Sequence, residues 1–323
     1  MMTSLDPALF RADAIDPETL RINEEVEAFF SKSPPIDQIP LDVLRNSRAT
    51  GESIFPLLEK SDRAETRTIP EPGGDIGLRI MRPKSGTPRG VYLHIHGGGW
   101  VVGANDQADP AFEHYADDLG LAVVSVDYRL APENPFPAAP DDCEAAAAWL
   151  VGNARAEFGT DWLAIGGESA GGHLAALTLL RMRDRHDYTG FKAANLVFGV
   201  FDVSRTPSVR NWGSRYLVLN TYAMSWFCDC FVPDEGMRQN PEVSPLYADL
   251  SHMPHALFSV GTQDLLLDDT LMMQARWTAA GNTSQLEVYP GAPHGFPAFG
   301  GPMGKRYVKT VDAFFTSALE GSA

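Results

Sequence analysis

The chain has 323 residues, 44% of them hydrophobic, with 26 basic and 42 acidic side chains and a net charge of −16. That length and apolar content suffice for one large core plus a small appendage, so no second independent domain is required. The acidic balance disfavours nucleic acid and anionic membrane as partners, and no apolar run approaches the ~20 residues that a bilayer span needs. The first eleven residues lack a basic start followed by an apolar core, so they do not read as a secretory signal. Cys143, Cys228 and Cys230 form an odd trio whose one-residue gap suits neither a disulfide framework nor zinc spacing. A reduced, cytoplasmic setting with no metal and no cofactor is the simpler expectation.

In chain order, helix-like segments come first, at 17–30 and near 41–48. Short strands at 67–69 and 76–80 read as antiparallel edge strands. The run 90–95 is apolar and ends in His96-Gly97-Gly98-Gly99-Trp100. Consecutive glycines let the backbone approach a ligand and turn N–H groups inward, so Gly98 and Gly99 are candidate donors to an oxyanion. A phosphate loop is discounted, because neither a Lys-Ser/Thr pair nor a spaced G-x-G-x-x-G follows. After a strand at 122–126 comes the proline-rich stretch 127–137, read as structural, and then a helix over 141–154.

The strand predicted at 163–166 runs into Gly167-Glu168-Ser169-Ala170-Gly171 and a helix over 170–183. A serine at a sharp strand-to-helix turn sits in strained backbone and needs small neighbours, while the next N–H, that of Ala170, points at the same space. The five-residue pattern alone also fits an ordinary tight turn; the glycine run upstream is what favours the chemical reading. A serine hydroxyl needs a base, and the base an orienting carboxylate, in the order Ser, Asp or Glu, His on strand ends of this kind.

Beyond a strand at 195–200, residues 202–241 break the rhythm with Trp212, Tyr216, Tyr222, Trp226, Phe227 and Phe231. Such density is usually core packing, yet an insertion here falls where a cap would cover the site. Trp212, Tyr216 and Trp226, with Trp100 and Phe296 beside the glycine and histidine motifs, are the candidate substrate contacts. A strand at 256–260 leads to Asp264, the expected orienting acid; Asp268 and Asp269 stand at the start of a helix over 268–280 and read as helix-start carboxylates. A strand at 286–289 precedes Pro290-Gly-Ala-Pro-His294-Gly295-Phe296, and a helix over 304–319 closes the chain. His294 is the expected base. His94 and His96 lie upstream and read as packing or loop-bracing groups, His173 sits on the helix after Ser169, and His114, His186, His252 and His255 have no partner motif.

The strand-helix alternation predicts an α/β protein with a mostly parallel central sheet flanked by helices. On His96-Gly-Gly-Gly-Trp100, Asp127-Tyr-Arg-Leu-Ala-Pro-Glu133, Gly167-Glu-Ser-Ala-Gly-Gly172, Ser244-Pro-Leu246, Asp264 and His294-Gly-Phe296, the chain resembles the bacterial hormone-sensitive-lipase-like esterases, family IV of the lipolytic enzymes. The resemblance implies an α/β hydrolase fold with a helical cap and a serine carboxylesterase of short- to medium-chain esters. Its triad would be Ser169, Asp264 and His294, its oxyanion donors Gly98, Gly99 and Ala170, and its assembly a homodimer. The expected organisation is cap helices in 1–55, catalytic domain in 56–201 and 242–323, and a cap insertion at 202–241. Two departures stand out: Glu168 occupies a position where many members have Asp, and Leu265 follows the acid where Pro is frequent. Glu168 is expected to hydrogen-bond beside the site rather than act as base. An amidase or acyltransferase on the same serine, or a noncatalytic small-molecule receptor, are the competing readings.

Overall fold

An unbroken apolar run such as Leu121-Ala-Val-Val-Ser-Val126 has no polar face to give to water and must be covered on both sides. A computed structural model describes residues 5–57, 60–71 and 73–321; the first four residues, which bore on the leader expectation, lie outside it. Among the described residues one sheet contains β1 (Glu65–Ile69), β2 (Ile76–Met81), β3 (Gly90–Ile95), β4 (Leu121–Asp127), β5 (Leu163–Glu168), β6 (Ala193–Val197), β7 (His255–Gln263) and β8 (Ser284–Pro293). Their spatial order is β1-β2-β4-β3-β5-β6-β7-β8. β2 pairs antiparallel with β1 and β4, and β3 to β8 run parallel to one another.

The helices are α1 (Pro17–Phe30), α2 (Leu41–Thr50), α3 (Asp109–Leu119), α4 (Ala138–Phe158), α5 (Ala170–His186), α6 (Pro207–Asn211), α7 (Thr221–Phe231), α8 (Leu267–Ala279) and α9 (Gly301–Leu319). The strands' period of two divides the core. Val91, Leu93, Ile95, Val124 and Val126 face the side covered by α4, α5 and α8, whereas Tyr92, Leu121 and Val123 face α3 and α9. From β3 the chain passes to β4 on one side and returns to β5 on the other, so the C-terminal ends of β3 and β5 flank a crevice at the switch in strand order. Both the glycine loop and the Ser169 turn open into it. Among the described residues no helix is long and apolar enough to cross a membrane.

Two expectations on elements are corrected. The strand expected at 195–200 stops at Val197: the Phe198 N–H still completes the ladder to Ser259 O at 2.7 Å, but its φ of 35° then turns the chain out of the sheet. Helix α3 was not anticipated, although Phe112, Tyr115, Ala116 and Leu119 recur at helical spacing and are buried. The intervening Asp109, Glu113, His114, Asp117 and Asp118 mask that stripe.

Candidate active site

The nucleophile turn is fixed by close backbone packing. Ser169 takes φ 58° and ψ −119°, a left-handed conformation that costs an L-residue roughly 1–3 kcal/mol. Its N–H bonds to Val197 O at 2.9 Å and its carbonyl accepts from His173 N at 3.1 Å, so the turn is held by β6 on one side and α5 on the other. A Cβ at Gly171 would fall 1.9 Å from Ile95 O, which is why the turn can lie against the end of β3 only with glycine there.

Three strand ends bring the expected trio together. His294 Nε2 lies 2.9 Å from Ser169 Oγ, and His294 Nδ1 lies 2.9 Å from Asp264 Oδ2. With Nδ1–H donating to the carboxylate, Nε2 is left free to accept the serine proton. Asp264 is oriented in turn: its Oδ1 accepts the Leu266 N–H at 2.9 Å. Asp264, His294 and Ser169 retain only 2%, 6% and 9% of their accessible surface, and the imidazole edge meets the Phe198 ring at 4.7 Å. Such low accessibility strengthens the electrostatic coupling within the trio.

The glycine loop turns back on itself, with Gly98 O accepting from Val101 N at 3.1 Å and Val102 N at 3.0 Å. Gly98, Gly99 and Trp100 have φ of 121°, 58° and 61° in succession. A Cβ on Gly98 would sit 2.0 Å from Val102 O, so this reversal requires glycine. Among the described residues the N–H groups of Gly98, Gly99 and Ala170 meet no backbone acceptor, leaving three donors beside Ser169. The loop is braced from behind: Tyr128 Oη donates to His96 O at 2.9 Å, Ala131 N donates to Trp100 O at 2.9 Å, and the His96 ring stacks on Tyr128 at 4.2 Å. The proline-rich stretch read as structural supplies Tyr128 and Ala131, and the Arg129 guanidinium donates to both carboxylate oxygens of Asp142.

Neighbouring groups answer questions left by the sequence. Glu168 Oε2 lies 3.0 Å from His94 Nε2, whose Nδ1 meets Ser125 Oγ at 3.1 Å, so the residue before the nucleophile is tied to β3 and β4. Asp268 and Asp269 do sit in the first turn of α8, but they do not cap it. Asp269 accepts from the N–H groups of Phe201 and Asp202 at 2.8 and 2.9 Å and from the Thr206 hydroxyl at 2.5 Å, while Asp268 accepts from Ser208 N at 2.8 Å. A buried carboxylate takes the donors within reach, and here those belong to the root of the 202–241 insertion.

Two of the candidate substrate contacts are deeply buried. Trp100 is fully buried, stacked on Phe231 at 4.4 Å with its indole N–H donating to His173 Nδ1 at 3.1 Å. Phe296 retains 2% of its surface, against Phe198, Tyr289 and Tyr307. Both rings pack against other rings rather than standing open to the crevice. Trp212, Tyr216 and Trp226 keep half-buried positions. Tyr216 stacks on Phe30 of α1 at 4.4 Å and borders a cavity of about 350 Å³ with Pro34, Pro35, Ile36, Asn220 and Tyr222. The sequence reading missed Phe198 at the imidazole, for which chain position gave no signal; Phe227, whose ring lies against Gly99, was named among the insertion aromatics but not as a candidate contact. Among the described residues no group of three His, Cys, Asp or Glu could hold a metal ion.

Comparison with known proteins agrees with this geometry. A family model described as the alpha/beta hydrolase fold matches residues 92–298. The chain is 31% identical to an ethyl acetate hydrolase of Pseudomonas putida over 89% of this chain and 93% of that protein. It is 33% identical to the carboxylesterase NlhH of Mycobacterium tuberculosis over 76% of this chain and 78% of that one. Among solved structures, a Pyrobaculum calidifontis esterase superposes with a TM-score of 0.84 at 30% identity, covering 96% of this chain and all of that one (100%). A hormone-sensitive lipase from a metagenome library does so at 0.80 and 27% identity, covering 94% and 99%.

Proposed function

This chain belongs to the α/β hydrolase family, among its hormone-sensitive-lipase-like esterases, and from that membership we propose a serine carboxylesterase that works through an acyl-enzyme on Ser169. It is a carboxylic ester hydrolase. The observation that carries the mechanism is the continuous Asp264–His294–Ser169 relay, with both links at 2.9 Å.

In the first half-reaction Ser169 Oγ attacks the ester carbonyl while His294 Nε2 takes its proton, and Asp264 stabilises the imidazolium. The oxyanion is held by the N–H groups of Gly98, Gly99 and Ala170, each such donor being worth ~3 kcal/mol in the transition state. His294 then returns the proton to the departing alkoxide oxygen, which leaves as an alcohol. In the second half-reaction His294 takes a proton from water as its oxygen attacks the acyl carbonyl, and the proton goes back to Ser169 as the carboxylic acid departs.

We assign residues 1–55 and 202–241 to one cap. Supporting this, Phe30 stacks on Tyr216, Arg215 Nε donates to Glu27 Oε1 at 2.7 Å, and Phe227 reaches Gly99. Trp212, Tyr216 and Trp226 are its ligand-facing aromatics, and a compact aromatic cap limits acyl length to the short and medium range. Cys143, Cys228 and Cys230 are all unpaired, which supports a cytoplasmic setting, and the family resemblance supports a homodimer. The test is hydrolysis of p-nitrophenyl acetate, butyrate, octanoate and palmitate. The expected result is a maximum of kcat/KM at butyrate or octanoate; preference for palmitate would replace the carboxylesterase reading with a true lipase.

A further inference from the structure

Helix α2 lies outside the catalytic sheet, yet one of its side chains reaches the back of the glycine loop. Arg45 Nε donates to Val101 O at 2.9 Å, and Nη2 donates to Ala131 O at 3.0 Å. The same guanidinium forks onto the Glu133 carboxylate at 2.8 and 2.7 Å. A planar fork of this kind can hold several acceptors in fixed directions, which an ammonium cannot. We propose that Arg45 is a positioning residue for the oxyanion hole, acting through two peptide groups in series. The inference rests on the assignment of Gly98 and Gly99 as oxyanion donors.

Peptide planarity points the C=O and N–H of one peptide group in opposite directions. Arg45 fixes the carbonyl of Val101, and so fixes the Val102 N–H on the far side of that peptide. This N–H donates to Gly98 O at 3.0 Å. The Gly98 carbonyl in turn sets the direction of the Gly99 N–H, which is the donor assigned to the oxyanion. The series therefore runs guanidinium to peptide to peptide to oxyanion, with every donor pointing the same way. Each donation polarises the next by about 10–30% per bond, and the series begins on a permanent cation. Ala131, the second carbonyl gripped by Arg45, gives its own N–H to Trp100 O at 2.9 Å, so the guanidinium holds the loop from both sides.

The test compares Arg45→Met and Arg45→Lys with the parent enzyme. It uses p-nitrophenyl butyrate and a trifluoromethyl ketone, a probe that adds Ser169 Oγ to its carbonyl and places the resulting oxyanion in the hole. Arg45→Met should lower kcat about fivefold, well short of the 10²-fold that follows deletion of a whole oxyanion donor, with KM within about twofold. The ketone's Ki should rise by the same factor as kcat/KM falls. Arg45→Lys, which keeps the charge but not the fork, should lie between the two, and it carries the test should Arg45→Met fail to fold. Variants that lose thermal stability while keeping parental kcat and ketone Ki would overturn the proposal and leave only a structural tie. A parent enzyme without ester turnover or ketone binding would sink the hydrolase reading itself, and this inference with it.

Discussion

At the scale of the residue, His173 shows how the nucleophile's surroundings make a pH dependence of their own. It is fully buried at the start of α5, accepting from the Trp100 indole at Nδ1 and donating from Nε2 to Val243 O at 2.7 Å. Both nitrogens are satisfied only in the neutral ring, and burial pushes its pKa down to about 4. The unfolded chain, with histidine near ~6.5, therefore binds a proton first, and His173 removes stability as pH falls from about 6.5 towards 4. A His173→Gln variant keeps an acceptor and a donor but does not titrate. Urea unfolding at pH 7.5 and 5.0 should show the parent losing about 2 kcal/mol more than this variant between the two values. Parallel losses would mean that His173 titrates normally. Ser169, Asp264 and His294 could be picked from the sequence because each follows a predicted strand in the chain order that such sheets impose, Ser169 and His294 also within glycine-containing motifs. Burial of Trp100 and Phe296 was not legible, because an aromatic beside a motif looks the same in sequence whether it faces a ligand or the core.

The element scale concerns how the insertion is rooted. Asp269 reaches from α8 to the N–H groups of Phe201 and Asp202 and to the Thr206 hydroxyl, at the point where the chain has left β6 for α6. Removing the carboxylate strands three buried donors at once, so Asp269→Ala should cost about 3 kcal/mol in urea unfolding. Asp269→Asn keeps an oxygen for the two N–H groups and should recover at least half of that loss. An alanine variant within 1 kcal/mol of the parent (about a fivefold change in the folding equilibrium) would show that the insertion root is held by other contacts. The regular elements of the sheet and of α4, α5, α8 and α9 were legible from apolar periodicity, with ends off by a few residues. Helix α3 was not, since its buried stripe alternates with acidic side chains, and neither was the end of β6, which depends on a positive φ at Phe198.

Across the whole molecule, the proposed serine, acid and base stand just beyond the C-terminal ends of β5, β7 and β8, and the proposed donors belong to the glycine loop and the Ser169 turn, which flank a switch in strand order. In the proposed organisation the N-terminal helices and the insertion form one cap over that crevice. Asn23 Nδ2 donates to Gly291 O at 2.8 Å on β8, the strand that leads to His294, while Arg45 grips the glycine loop. These long-range ties are invisible to periodicity, because partners 268 and 56 residues apart share no local pattern.

The central claim is that one serine among those in the chain is activated by an imidazole at 2.9 Å. Labelling the folded protein with a fluorophosphonate, followed by peptide mapping, tests it most directly. The account predicts a single adduct, on Ser169, and none in a Ser169→Ala variant that remains folded. An adduct on another residue, or a folded parent that takes no label, would contradict it.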